Sequence, residues 1–237
     1  MIDWHSHILP GMDDGSKDVA ESLAMLEQLA TQGIKTVIAT PHFYANDETA
    51  SDFVLRRQKA YEKLKVELPE NAPEILLGAE IRYYRGISRM ENLQKLQIQD
   101  SRLLLLEMPL SEWTESMIKD LIELSGNGGI QLILAHVERY MGLQKRETWE
   151  RLYENGVLMQ VNASFFTGRM SRRKAINLLQ EDLIHLVGSD CHNMTTRPPQ
   201  LGKAFEVIRK KLGDQCLERM NQYGYRKIND YFGKEGP

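Results

Sequence analysis

Seven short apolar runs punctuate this chain, and most of them end in a residue that binds metals. IDWHSHI carries His5 and His7, IATPHF carries His42, and LILAHVERY carries His136. LVGSDCHN carries Asp190 and His192, while Glu80 closes ILLGAEI and Glu107 closes RLLLLEM. Five of the six histidines fall in this series. One histidine beside a strand is most often a hydrogen-bonded core or surface residue. A series, each delivered by its own apolar strand, points to ligands gathered at one end of a barrel.

The runs alternate with longer amphipathic segments, which is the α/β pattern. Strands are expected at residues 2–6, 36–40, 75–80, 102–107, 131–135, 157–161 and 184–189. Leu103 to Leu106 have no polar interruption, as in a strand buried on both faces. Helices are expected at 18–32, 53–68, 115–125, 171–179 and 201–212, with Asp18 and Glu21 forming a capping box and Gly126 to Gly129 ending the third. The segment after Gly224 has no clear pattern. An open doubly wound sheet would gather ligands near one switch point. Ligands from six strand ends across the whole chain fit a barrel mouth better. The expected fold is therefore a distorted TIM-like (β/α)7 barrel with its site at the C-terminal strand ends.

A length of 237 residues suits one domain over 1–237, with the tail after about 229 left open. The net charge of −3 gives no reason to expect nucleic acid or an anionic membrane as partner. MIDWHSH lacks a signal-peptide pattern, and no apolar run approaches a membrane span. Cys191 and Cys216 make no disulfide framework. The expectation is a cytoplasmic protein without membrane insertion.

Alternate residues of a strand share a face, so His5 and His7 can address one ion, and Asp190 with His192 repeat that geometry. Imidazole suits Zn, Mn or Fe, and carboxylates extend the set toward harder ions. Glu80 and Glu107 follow strongly apolar strands, where an unpaired carboxylate is costly to bury. Cations at the mouth would resolve that cost. The MDDGS loop adds Asp13 and Asp14, with Gly15 allowing a tight turn. His185 has no such partner and is expected to be structural. Asp13, Glu112 and Glu138 are individually expected to be solvated.

HSH, the DDG loop, PH, GAE, the leucine-run Glu, AHVERY and SDCHN resemble, in order, the motifs of the polymerase and histidinol phosphatase (PHP) superfamily. MIDWHSHILPGMDDGS, GAEIRYY, AHVERY, QVNAS and SDCHNMTTRPP are similar to one branch of it, the bacterial metal-dependent tyrosine-protein phosphatases encoded beside capsule and exopolysaccharide genes. The resemblance runs from Met1 to about Asn229. It implies three divalent ions. His5, His7, Glu80 and Asp190 would hold one. Glu80 would bridge to a second, with Glu107 and His136. Asp14, His42 and His192 would hold the third, Asp14 being preferred to Asp13 because it directly precedes Gly15. Manganese is favoured, with Fe, Zn, Co or Mg possible.

The resemblance also assigns Arg139 and Arg197 to phosphate, whose oxygens a planar guanidinium fork matches. The implied activity is phosphotyrosine hydrolysis by direct attack of a metal-bridging hydroxide on phosphorus. The implied partner is the tyrosine-rich C-terminal tail of a bacterial tyrosine autokinase that regulates capsule or exopolysaccharide synthesis. Alternatives are a small-molecule phosphomonoesterase of the histidinol phosphatase type and a non-catalytic metal-stabilised scaffold. Phe43, Tyr83 and Tyr84 are candidates to pack against a substrate ring, with ordinary rim packing as the alternative. Cys191 to Arg197 match the C-x5-R signature of cysteine-dependent phosphatases, but no glycine lies between them and Pro198–Pro199 remove donors. We read that match as chance.

Overall fold

The computed structural model describes residues 1–99, 101–126 and 129–229. Its strands are β1 (Ile2–Ser6), β2 (Thr36–Ala39), β3 (His42–Phe43), β4 (Glu74–Leu77), β5 (Glu80–Arg82), β6 (Leu103–Glu107), β7 (Gln131–Leu134), β8 (Leu158–Asn162) and β9 (Leu186–Gly188). Its helices are α1 (Val19–Thr31), α2 (Ala50–Lys65), α3 (Glu115–Gly126), α4 (Arg146–Glu154), α5 (Ala163–Thr167), α6 (Arg172–Gln180), α7 (Leu201–Leu212) and α8 (Asp214–Asn229). Every named strand pair is parallel. The result is an α/β fold with a curled parallel sheet and helices around it.

Two of the expected strands, 36–40 and 75–80, end early, and each is followed after a two-residue break by a further short strand. β2 leads into β3 across Thr40 and Pro41, and β4 leads into β5 across Gly78 and Ala79. Proline lacks a ladder donor, and glycine tolerates a bend. The further strands then change partners, giving the orders β1-β2-β4 and β3-β5-β6-β7-β8-β9. This break brings His42 into register with Glu80. At the other edge the chain returns to its start. Ser6 bridges Cys191, Asp190 N donates to His5 O at 2.8 Å, and His7 N donates to Cys191 O at 2.9 Å. The buried Asp3 carboxylate accepts from Ser189 N at 2.7 Å. Gly188 permits this approach, because a Cβ there would stand 2.6 Å from His5 Cβ.

The strands are buried along nearly their whole length. One apolar cluster takes Ile2 and Trp4 from β1, Ile38 from β2, Leu105 from β6, Ile133 from β7 and Leu186 from β9. It is filled from below by Ile228, with Tyr223 and Tyr225 of α8 packed against it. A larger cluster lies between sheet and helices. Each such leucine or isoleucine adds about 1.5–3 kcal/mol by leaving water. α8 continues through Gly224 to Asn229. That glycine is a contact point, since a Cβ would lie 2.9 Å from the Trp4 ring.

Local chemistry sets several helix ends. Asp18 accepts from Glu21 N, and the Glu21 carboxylate reaches back to Lys17 N, one residue before the expected partner. Thr49 accepts from Asp52 N, so α2 starts at Ala50 and ends at Lys65, earlier than its apolar pattern suggests. α4, α5 and α8 have no counterpart among the expected helices. Of the expected stop after α3, Asn127 and Gly128 lie outside the described residues.

Candidate metal centre

The centre is organised around one carboxylate at the start of β5. Glu80 is 1% exposed. Its Oε2 lies 3.2 Å from His5 Nε2, 3.3 Å from His7 Nε2 and 3.0 Å from His42 Nδ1. Its Oε1 lies 2.8 Å from His136 Nε2. Asp190 Oδ1 stands 3.7 Å from His5 Nε2, 3.6 Å from His7 Nε2 and 3.7 Å from His192 Nδ1. Asp14 Oδ1 stands 3.5 Å from His42 Nε2 and 3.4 Å from His192 Nε2. Glu107 Oε1 is 3.6 Å from His136 Nε2. All nine expected ligands therefore meet at the C-terminal ends of the strands.

The atoms fall into three overlapping groups, each within 4.8 Å: His5 with His7 and Asp190, His42 with Glu80 and Glu107, and His7 with Asp14, His42 and His192. His7 and His42 thus each span two groups, where the motif pattern gave them one, and His42 rather than His136 joins Glu80 and Glu107. The fit to cations is testable on geometry. Four donors 2.0–2.2 Å from a tetrahedral ion stand about 3.3–3.6 Å apart, which is the spacing seen between several of these atoms. His5 Nε2 and His7 Nε2 face each other at 3.2 Å. His42 Nδ1 and Glu80 Oε2, though 3.0 Å apart, and His192 Nε2 are buried and form no hydrogen bond among the described residues. Buried polar atoms are normally satisfied, so three such atoms within one centre fit cations.

The backbone is strained at the same place. His136 has φ +35° and Asp190 has φ +53°, the left-handed region that non-glycine residues avoid. Such strain costs of order 1–3 kcal/mol and clusters at functional sites. The electrostatics agree. Burial alone would lower the His5 and His7 imidazoles. Glu80 and Asp190 outweigh it at His5, and hydrogen bonds to Asp13 and Glu80 raise His7 to about 10. Glu80 and Asp190 resist the upward push of burial and are held low, chiefly by His5. Burial lowers His136, and it lowers His192 to about 4. The field that draws protons onto His5 and His7 equally attracts a divalent ion.

A second layer orients the imidazoles. Asp13 accepts from His7 Nδ1 at 2.7 Å, and it also accepts from the backbone N–H of His42 and of Gly15. Gln160 Oε1 lies 3.4 Å from His5 Nδ1 and accepts from His136 N at 2.7 Å. The Tyr140 hydroxyl lies 3.1 Å from His136 Nδ1. Asn162 Nδ2 donates to Asp190 Oδ2 at 2.7 Å. With Nδ1 engaged outside, the Nε2 lone pair is directed inward. Asp13 and Glu138 are therefore not solvated, as their types suggested. Glu138 accepts from Asn162 N, and burial raises it to about 7. Glu112 is exposed, as expected. Gln160 and Asn162 lie in the QVNAS run, whose strand position was the available signal.

Arginines and carboxylates alternate across the mouth. Arg197 is 4.0 Å from Asp14 and 2.8 Å from Asp190. Arg139 is 2.6 Å from Asp190 and 4.0 Å from Glu107, whose other oxygen accepts from Arg82 at 2.6 Å. Arg139 and Arg197 remain 39% exposed and accessible to an anion. Arg82 joins them without having been expected.

Three other expectations are decided here. Phe43 is wholly buried against Phe53, the Tyr83 hydroxyl donates to Asp120, and Tyr84 packs on the apolar core, so all three are ordinary packing. Cys191 is buried in the same core, and burial pushes its thiol well up. The N–H groups of Thr195, Thr196 and Arg197 all donate to Asn193 Oδ1, leaving no phosphate cradle behind that thiol. His185 lies at the other end of the sheet. Its Nδ1 accepts from Met159 N, and its ring stacks beside Tyr153 and Tyr223.

Several known proteins resemble this chain over nearly its full length. A tyrosine-protein phosphatase CpsB of Streptococcus pneumoniae is 31% identical, covering 96% of this chain and 98% of its own. A tyrosine-protein phosphatase YwqE of Bacillus subtilis is 32% identical, covering 91% and 86%. The fold matches, with a TM-score of 0.82 at 27% identity over 97% of this chain and 95% of the other, a chain from the crystal structures of YwqE and S. pneumoniae CpsB, described as unique metal-dependent tyrosine phosphatases. The family model for capsular polysaccharide synthesis, CpsB/CapC, matches residues 1–228. This chain belongs to the CpsB/CapC family.

Proposed function

We propose that this protein is a metal-dependent protein-tyrosine phosphatase. The observation that carries the reading is Glu80, buried beneath four imidazoles, with unpaired lone pairs at its centre and two accessible guanidiniums beside it. In this reading His5, His7, Glu80 and Asp190 hold one ion. Glu80, Glu107 and His136 hold a second, and Asp14, His42 and His192 a third. Manganese suits this mixed nitrogen and oxygen set, as do Fe, Zn, Co and Mg. Ions held there would polarise the phosphoryl oxygens and ease deprotonation of water near neutral pH.

The chain's own residues supply the rest. Arg139 and Arg197 present planar forks to the equatorial oxygens, where charge spreads in the transition state. Asp13, Gln160 and Tyr140 keep the imidazoles oriented, so the site does not reorganise as the reaction proceeds. A tyrosyl phenolate, of pKa about 10 when free, is a tolerable leaving group. The buried Cys191 thiol has no part in it.

The wider reading follows from the family. The substrate is the phosphorylated tail of a bacterial tyrosine autokinase, and its dephosphorylation regulates capsule or exopolysaccharide synthesis. We assign the protein to the cytoplasm. Its two free, buried cysteines fit a reducing compartment, and among the described residues no helix is long and apolar enough to cross a membrane. Residues 1–237 are read as one domain. The curled sheet is read as a closed barrel of seven staves, with β2–β3 and β4–β5 each counted once. The hydrogen bonds between β1 and the Asp190–Cys191 segment support that count.

The test is turnover by a manganese-loaded sample of a phosphotyrosine peptide and, separately, of histidinol phosphate. Faster turnover of histidinol phosphate would move the reading to a small-molecule phosphatase. No turnover of any phosphomonoester across pH would leave a scaffold. His136→Ala should lower metal content and rate together, whereas Arg139→Ala should lower rate with metal retained. Full activity in His136→Ala would refute the ligand map.

A further inference from the structure

We propose that Tyr44 is the specificity-determining residue of this site, a platform against which the phenyl ring of a phosphotyrosine packs. The inference rests on the phosphatase reading and names the subsite that would make it selective for aromatic phosphomonoesters. Tyr44 directly follows β3, the segment that carries His42. Its ring packs on the His42 imidazole, 5.5 Å between centroids at 31°. It is 40% exposed, so its outer face is open. Tyr44 and Tyr153 are the two exposed aromatic side chains among the described residues, and Tyr153 stacks beside His185 at the far end.

The surroundings give the platform a use. Tyr44 lines a groove of about 620 Å³ together with Asp14, His42, Asp47, Glu48 and Arg56. That volume lies in the range of sites for whole organic groups and exceeds the need of a bare phosphate. Arg56 is committed to Glu48 and to Met12 O, so it leaves the ring uncovered. The His42 imidazole under the ring stands 3.0 Å from Glu80, so the platform adjoins the centre itself. An ester group that leaves the centre on its His42 side would meet this exposed ring. Offset or edge-on aromatic pairs contribute about 0.5–1.5 kcal/mol beyond their buried area.

The experiment uses two non-hydrolysable probes, benzylphosphonate and methylphosphonate, titrated calorimetrically into the manganese-loaded protein. The wild type should bind benzylphosphonate more tightly. Tyr44→Ala should shrink that preference about 3- to 10-fold, leaving methylphosphonate affinity within about twofold. Tyr44→Phe should retain the full preference, since the ring and not the hydroxyl is used. An unchanged preference in Tyr44→Ala would overturn the proposal. So would an equal loss for both probes, because Tyr44 would then merely support His42. Turnover of a phosphotyrosine peptide is measured in parallel. A wild type that prefers the benzyl probe and loses that preference in Tyr44→Ala, yet hydrolyses nothing, would sink the phosphatase reading and leave the platform standing.

Discussion

The two ends of the sheet carry the same residue types under opposite conditions. At the C-terminal ends, five buried or half-buried histidines converge with carboxylates, and two imidazole nitrogens and one carboxylate oxygen form no hydrogen bond among the described residues. At the N-terminal end, His185 has its Nδ1 satisfied by Met159 N and its faces beside two tyrosines. Residue type alone does not separate these histidines. Convergence on carboxylates does: each of the five stands within 4 Å of at least one carboxylate oxygen, whereas His185 has none that close among the described residues. An isolated histidine fills space in the fold, whereas buried imidazoles gathered on carboxylates, some of their atoms without hydrogen bonds, form a place that a cation can stabilise.

The largest expected effect comes from the hub. Glu80→Gln should lower both bound metal and turnover at least about 100-fold, and exhaustive chelation should do the same to the wild type. His185→Gln should leave turnover within about twofold. Metal analysis beside a phosphotyrosine assay measures both, and equal effects at the two ends would erase the distinction.

Asp13→Asn probes the orienting layer of the same end. The amide oxygen can still accept from His7 Nδ1, but the charge is gone. Metal affinity should weaken about 10- to 100-fold, with the fold intact by circular dichroism. An unchanged dissociation constant would demote Asp13 to a turn residue.

The far end should reveal itself through stability. Burial holds the His185 pKa at about 4, with Asp182 opposing and Lys227 adding to the shift. A group lowered in the fold is neutral there while the unfolded chain takes up a proton. Its contribution is full above about pH 6.5 and is lost as pH falls toward 4. Denaturant unfolding should show roughly 1–3 kcal/mol of acid-dependent loss over that window that His185→Phe lacks. Parallel curves for the two proteins would exclude His185 as the source. Cys191→Ser should change least, with turnover within about twofold, because the thiol lies in the core and not in the site. Abolished turnover in a folded, metal-loaded variant would revive the cysteine mechanism.

Much of the centre was legible in the chain because strands have a fixed period and carry their cargo at their ends. His5, His7, His42, Glu80, Glu107, His136, Asp190 and His192 each follow or end an apolar run, so their convergence needed only the strands to be gathered in one direction. The orienting layer was less legible. Asp13 and Asp14 are adjacent and identical in type, yet one turns inward to His7 while the other faces His42 and His192 from the surface. That partition depends on a loop packing against a strand start 29 residues away. Phe43, a candidate to meet a substrate ring, is buried in the core while its neighbour Tyr44 is exposed, because successive side chains leave a strand on opposite faces.

The amino-acid sequence by itself determined the α/β class, the ligand types and the end of the sheet where they lie. Apolar runs, helical periods and residue order are local properties that the chain carries wherever it folds. Only the tertiary structure decided that Pro41 and Gly78 split two strands so that His42 registers with Glu80, and that Arg82, Arg139 and Arg197 alternate with carboxylates across the mouth. It also decided that α8 fills the lower end. These features join residues far apart in the chain, and their geometry is fixed by which strands become neighbours and by close packing between them.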